Sequence, residues 1–290
     1  MISYKKLIDC SLHDVINAWN RGFEGYAVNV QMNIKQFLHR MTAEELCPER
    51  SLIAYDKQNP VGILLNGFRN MEDKVVAWNG GTAIAPEYRG KKIGSELVEQ
   101  SLALYKDEGV HLATLEAIKG NTNAIKTYEK FGYKTVDMLQ FYQHKGQQLL
   151  DKPQNEFNFS LSENPSAYAK SINYYNTDTA WQTQVDSIKD GRVIELLRNG
   201  TSSGYILFKE SYTPTGELQS IVLYQSELNP VLRENGNDVF VHLLMELFNK
   251  LDHNGSMVGF NLSSENGIIE LFEKCKFNLV LEQVRMKKSM

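Results

Sequence analysis

From residue 51 onward the chain switches repeatedly between alternating apolar positions and apolar positions three or four apart, the marks of strand and helix. Ser51-Leu52-Ile53-Ala54-Tyr55 and Val61-Gly62-Ile63-Leu64-Leu65 read as strands around the turn Asp56-Lys57-Gln58-Asn59-Pro60. Lys74 to Ile84 reads as a third strand, interrupted by Asn79-Gly80-Gly81. A helix is predicted from about Lys92 to Lys106 with Leu97, Val98, Leu102 and Tyr105 on one face. A strand follows from His111 to Ile118, then a short helix from Thr122 to Phe131 ending at Gly132, and a closing strand from Lys134 to His144. Ahead of the first hairpin, Ser11 to Phe23 and Asn33 to Leu46 read as two helices. Helices before and after strands in this order predict an α/β (α+β) layer fold.

The second half repeats the first. A shift of 144 carries Tyr128-Glu129-Lys130-Phe131-Gly132-Tyr133 onto Phe272-Glu273-Lys274-Cys275-Lys276-Phe277, Pro86 onto Pro230 and Arg89 onto Arg233. Around His111 to Ile118 a shift of 146 fits better, since Gly109 then meets Gly255, so Glu116 falls on Phe260 or Leu262 according to the shift. Two tandem domains are therefore expected, over 1–147 and 156–290, with the polar stretch 148–155 as linker.

Bulk properties narrow the function by exclusion. The 290 residues are ample for two cores. A formal net charge of −4 gives no footprint for nucleic acid or an anionic membrane. The N-terminal residues lead into no long apolar run, which argues against a signal peptide or a transmembrane helix. The three cysteines, Cys10, Cys47 and Cys275, are widely spaced and form no CxxC pair, and the six histidines show no HxxxH spacing. A reducing, cytoplasmic setting without a metal is expected.

Candidate chemistry concentrates where the third strand passes into the following helix, at Ala85-Pro86-Glu87-Tyr88-Arg89-Gly90-Lys91-Lys92-Ile93-Gly94-Ser95. Backbone N–H groups and the positive end of a helix dipole converge there, which suits an anion. Arg89, Lys91 and Lys92 oppose that dipole by roughly 0.3–1 kcal/mol each, a cost that a bound diphosphate would reverse. Neither GxxxxGK[ST] nor GxGxxG is present.

This segment resembles motif A of the GNAT acetyltransferase superfamily, Q/R-x-x-G-x-G/A, with Arg89 at its first position and Gly94 at its last. Lys92 stands where glycine is usual, which makes a positive φ harder to adopt there. Leu115-Glu116-Ala117-Ile118 through Asn121, Ala124 and Tyr128-Glu129-Lys130-Phe131-Gly132-Tyr133 resembles the family's LEVxxxNxxAxxxYEKxGF segment. The likeness is close over about residues 50 to 140 and weak beyond. It implies two GNAT-like domains, each a mixed, splayed sheet flanked by helices, with acetyl-CoA as co-substrate wedged between the fourth and fifth strands of the first. By the same resemblance, the main chain near Ile84 pairs with the pantetheine arm. The amides of Arg89, Gly90, Lys91, Lys92, Ile93, Gly94 and Ser95 cradle the diphosphate, and Asn121 bonds the cofactor arm. Asn79-Gly80-Gly81 lies where acetyl group and acceptor meet, and Gly22 to Met32 borders the acceptor pocket.

Acetyl transfer needs a neutral amine and a proton for the departing thiolate. In ribosomal-protein alanine N-acetyltransferases of this superfamily a glutamate and a tyrosine at the positions of Glu116 and Tyr128 act as base and acid. Glu24, Glu72 and Asp73 are weaker candidates for the base. The resemblance thus implies transfer of acetyl to a small-molecule or peptide amine by a monomer or homodimer. An acyl-CoA-binding sensor and another acyl-transfer enzyme of duplicated GNAT architecture are the rivals. The second half has lost the pair, with Phe272 at Tyr128, and the loop too, with Glu234 and Asp238 in the basic region, so it is expected to be non-catalytic.

Overall fold

Strand β1 (Ile2–Lys6) pairs antiparallel with β2 (Leu52–Asp56). It was not predicted from the pattern, because Ile2-Ser3-Tyr4-Lys5-Lys6 buries little. Between them lie α1 (Leu12–Gly22) and α2 (Ile34–Ala43). Ser11 caps α1 by accepting from the Asp14 N–H at 3.1 Å, and Asn33 with Gln36 forms a capping box on α2. The buried residues of α1, Val15, Ala18, Trp19 and Gly22, are spaced to form one helical stripe.

Strand β3 (Asn59–Met71) pairs antiparallel with β2 and with β4 (Lys74–Ile84). Helix α3 (Ile93–Asp107), strand β5 (Leu112–Ile118), helix α4 (Thr122–Lys130) and strand β6 (Lys134–Lys145) follow, each within a residue of its expected bounds. Within α3, Ser101 rather than Leu102 is buried, because Asn66 donates to the Ser101 hydroxyl at 3.2 Å.

The second half runs β7 (Phe159–Pro165), a stretch of 3₁₀ turns between Ser166 and Ser187, β8 (Arg192–Arg198), β9 (Thr201–Tyr212) and β10 (Leu218–Leu228). It continues through α5 (Gly236–Lys250), β11 (Ser256–Ser263), α6 (Ile268–Lys274) and β12 (Asn278–Ser289). This computed structural model describes residues 1–71, 73–146, 150, 159–231 and 236–290. Glu72, Arg233, Glu234 and all of the expected linker but Leu150 lie outside the described residues. Among the described residues, no helix is long and apolar enough to cross a membrane, and no cluster of metal-ligating side chains is present.

Two compact units result, one of Met1–Val136 with Val284–Met290, the other of Asp137–Gln283. In the first unit the strand order is β1-β2-β3-β4-β5 and then the end of β12. In the second the order is β6-β11-β10-β9-β8-β7. This differs from the contiguous division expected near residue 147. Backbone pairing is the reason: Leu139–Lys145 of β6 is hydrogen-bonded to β11, and the Met290 N–H donates to His111 O at 3.1 Å.

Each unit is a mixed α/β layer, and their internal registers show the duplication. Val76 pairs with Leu112 in the first unit and Ser220 with Ser256 in the second, a shift of 144 on both strands. The same shift relates β6 to β12 and the last residue of α4 to that of α6. Upstream the shift is 142, since Ala54 pairs with Gly62 and Leu196 with Gly204. The extra residues of the second unit therefore lie at the β9–β10 hairpin. The shift of 146 expected around β5 is not used, and the counterpart of Glu116 is Phe260.

Candidate active site

A break in pairing makes the site. Strands β4 and β5 are parallel partners only from Val76–Leu112 to Asn79–Leu115. On its other edge β4 carries a bulge, since Leu65 pairs with Gly81 and Asn66 with Asn79, leaving Gly80 as the extra residue. Glycine is required on both sides of that kink. A Cβ on Gly80 would stand 2.7 Å from the Trp78 ring, and one on Gly81, where φ is +151°, would stand 3.0 Å from the Trp19 ring. The bulge is held by Arg40, which donates to Gly80 O at 2.6 Å and lies over Trp19. Past it the strand ends part around a cleft of about 940 Å³, with Thr82 to Ile84 on one wall and Ile118 to Asn121 on the other.

Part of the cleft lining is polar and cationic. The turn into α3 passes through left-handed backbone at Gly90, φ +76°, and again at Lys92, φ +67°. Lys92 thus takes the conformation that glycine would take more cheaply. It is the N-cap of α3 without a side-chain cap bond, and the N–H groups of Ile93, Gly94 and Ser95 have no acceptor within the helix. Lys92, Lys126 and Lys130 line this cleft, and among the described residues none of the three forms an ion pair. Lys126 and Lys130 were missed from sequence, although their spacing of four puts them on one face of α4.

Arg89 and Lys91 depart from the expected cradle. The Arg89 N–H is taken by Pro86 O at 3.2 Å, and its guanidinium donates to Ile84 O, Gly22 O and Glu24 O at 2.9, 3.1 and 2.6 Å. Lys91 is not among the lining residues, and its ammonium sits 4.8 Å from the centre of the Tyr88 ring. Asn121 does line the cleft but also caps α4, accepting from the Ala124 N–H at 3.3 Å.

Tyr128 reaches the cleft from α4 and is 8% exposed. Burial pushes its hydroxyl above the usual phenol range, while bonds with Thr82 and Asn79 act the other way. Those two residues belong to the bulge: Asn79 Nδ2 donates to Thr82 Oγ1 at 2.9 Å and Asn79 Oδ1 accepts from the Gly81 N–H at 3.0 Å. Glu116 lies on β5 beyond Thr114, the register partner of Trp78, and its Oε2 accepts from Trp78 Nε1 at 2.6 Å. It does not line the cleft. Of the weaker base candidates, Asp73 occupies the β3–β4 turn with φ +55°, at the other end of β4 from Ile84. The cleft therefore brings together Tyr128, Ile84, Asn121 and, in the turn into α3, Arg89, Gly90, Lys92, Ile93, Gly94 and Ser95, and leaves Glu116 and Lys91 out of its lining.

The second unit keeps the bulge and fills the space. Leu223 pairs with Phe208 and Gln225 with Leu207, so Tyr224 is the extra residue, at the counterpart of Gly80. Its ring lies 5.5 Å from that of Phe260. Gln225 stands for Gly81 and is buried, accepting from Tyr205 Oη at 2.9 Å and donating to Thr183 O at 2.9 Å and Thr179 Oγ1 at 3.1 Å. Phe272 stands for Tyr128, fully buried and stacked on Phe277 with ring centres 4.2 Å apart.

Residues 12–133 match the acetyltransferase (GNAT) family. Among solved structures, a GCN5-related N-acetyltransferase from Anabaena variabilis is 13% identical, over 100% of this chain and 73% of that one, at a TM-score of 0.63. One from Sphaerobacter thermophilus is 12% identical over 99% and 95%, at 0.64. A tandem GNAT protein from the clavulanic acid biosynthesis pathway is 11% identical over 100% and 98%, at 0.63. At such identities the likeness is one of fold. No curated protein matches the sequence.

Proposed function

We propose, from the premise that the chain belongs to the acetyltransferase (GNAT) family through the domain at residues 12–133, that it transfers acetyl from acetyl-CoA to a primary amine. The family supports acyl transfer from acyl-CoA; the acetyl donor and the amine acceptor are the finer reading. One observation carries it: a single cleft is lined by the free helix amides of the turn into α3, by Lys92, Lys126 and Lys130, and by the buried Tyr128 at the parted strands. Amides of Ile93, Gly94 and Ser95 with Lys92, Lys126 and Lys130 suit a diphosphate, and the edge of β4 that β5 leaves past Asn79 suits an amide-bearing arm.

When bound, acyl-CoA supplies a carbonyl carbon activated by its thioester. Tyr128 keeps its proton at neutral pH and gives a hydrogen bond, then the proton, to sulfur as the carbon–sulfur bond breaks. Glu116 receives the proton that the attacking amine loses. Because Glu116 stands outside the lining, that proton reaches it through water, with Trp78 Nε1 holding the carboxylate in place. The same placement of Glu116 is what favours the second reading, a sensor that binds acyl-CoA without turning it over.

The two readings separate in one experiment. A panel of primary amines is offered with acetyl-CoA and free CoA is followed by its thiol. Release that depends on one amine class, and falls by about 10²–10⁴-fold in Tyr128→Phe at an unchanged acetyl-CoA constant, is expected. Binding of acetyl-CoA without release for any amine would leave the sensor.

A further inference from the structure

The segment from Phe23 to Met32, between α1 and α2, lies outside helix and strand. It is tied at two ends. At the far end Trp19 Nε1 donates to Val30 O at 2.8 Å, and the Asn20 side chain both donates to Met32 O and accepts from the Met32 N–H, each at 2.9 Å. At the near end the ties come from Arg89, to Gly22 O and Glu24 O, while its Nε holds Ile84 O at the end of β4. Between them Gly25 turns the chain with φ +70°, and Tyr26 packs on Phe23 with ring centres 5.1 Å apart. Tyr26 lines the cleft together with Ile118 and Asn121 of the opposite wall. The loop thus crosses the cleft from the β4 side to the β5 side.

The charges of the cleft say which part this is. Gly22, Phe23, Gly25, Tyr26 and Ala27 bring no cation to the lining, whereas Lys92 adjoins the free amides of α3 and Lys126 and Lys130 enter from α4. The loop therefore covers a stretch of the lining that brings no charge of its own, distinct from the turn into α3 that suits the phosphates. A guanidinium presents its donors in one rigid plane. With Nε and one terminal nitrogen spent on three main-chain carbonyls, turning that plane toward a diphosphate would release the loop.

We infer that Arg89 is a positioning residue, fastening Gly22–Glu24 to the end of β4 so that Tyr26 closes that part of the cleft, and is not a phosphate ligand. The inference rests on the acyl-CoA reading above for what the cleft binds. The fastening itself does not depend on it. Arg89 is exposed, so its loss loosens the loop by local opening and leaves the core intact.

The test uses the full chain as Arg89→Met and Arg89→Lys. Hydrogen exchange of peptides within residues 22–32 should quicken by about tenfold in Arg89→Met, with the remainder unchanged. Arg89→Lys, which keeps the charge and three donors but not the planar fork, should fall between. By calorimetry, acetyl-CoA affinity should stay within about threefold of wild type in both, because no phosphate bond is lost. With the amine that the panel selects, KM for the amine should rise by roughly tenfold while KM for acetyl-CoA holds. Unchanged exchange in Arg89→Met, or a loss of acetyl-CoA affinity of tenfold or more in either variant, overturns the assignment. A wild-type chain that binds no acetyl-CoA would sink the functional reading instead, and the exchange measurement would still decide the role of Arg89.

Discussion

Lys91 and Lys92 are neighbours in the chain and opposite in placement. Lys92 lines the cleft from a left-handed N-cap, and Lys91 turns away onto Tyr88. Charge reversal should therefore separate them. Charge-assisted contacts contribute roughly 1.5–3 kcal/mol, so Lys92→Glu should weaken acetyl-CoA binding by at least about tenfold, and Lys91→Glu by much less. Equal losses, measured by calorimetric titration, would mean the turn acts only through its net charge. Tyr128 makes a prediction about pH. Its phenol is pushed above the ordinary value of 10.0 by burial, and a raised acid keeps its proton as pH rises through the unperturbed value. The rate profile should accordingly rise with pH as the amine loses its proton and show no descending limb below about pH 10. A fall already present by about pH 8.5 in wild type, absent from Tyr128→Phe, would refute a raised phenol.

Bulges, not helices, decide the shape of the site. The Gly80 bulge in β4 ends its pairing with β5 and sets Asn79 and Thr82 against Tyr128. Gly81→Ala would put a methyl 3.0 Å from Trp19 at a backbone angle that side chains rarely adopt. A destabilisation of roughly 1–3 kcal/mol is expected, read as a lowered denaturation midpoint. Gly94→Ala serves as the control, since its Cβ would meet only Ile84 at an ordinary 3.6 Å, so the midpoint should hold. The bulge was legible in Asn79-Gly80-Gly81, because two glycines inside an apolar strand mark one. Its consequence for Glu116 was not, since which face of β5 meets Trp78 depends on the strand register.

At the scale of the molecule, chain order and unit membership part company. Val284–Met290 belongs with Met1–Val136, and within it Val284 and Met286 are 6% and 0% exposed. A chain ended after Gln283 loses that burial, on the order of 1.5–3 kcal/mol for each side chain, besides a row of backbone bonds. It should unfold at clearly lower denaturant than the full chain, and a synthetic peptide of residues 278–290 should restore the midpoint. An unchanged midpoint would mean the first unit is complete without these residues. The filled second unit leads to a count as well: calorimetry should find one acetyl-CoA per chain, and two equivalent sites would contradict the packing of Tyr224, Gln225 and Phe272.

The sequence by itself determined what local chemistry determines. Apolar spacing marked nearly every helix and strand of the first unit, Ser11 and Asn33 marked helix starts, and the ordered likeness between halves marked the duplication. Tertiary structure decided what depends on partners distant in the chain. Hydrogen-bonded register set the repeat shifts at 142 and 144, and the end of the final strand, from Val284, went to the first unit. Side-chain reach turned Arg89 onto carbonyls and Lys91 onto a ring, and brought Lys126 and Lys130 to the cleft. The division has a physical reason: helix and strand propensity act over a few neighbouring residues. Which way a long cation points is settled by acceptors that folding brings to it from elsewhere in the chain.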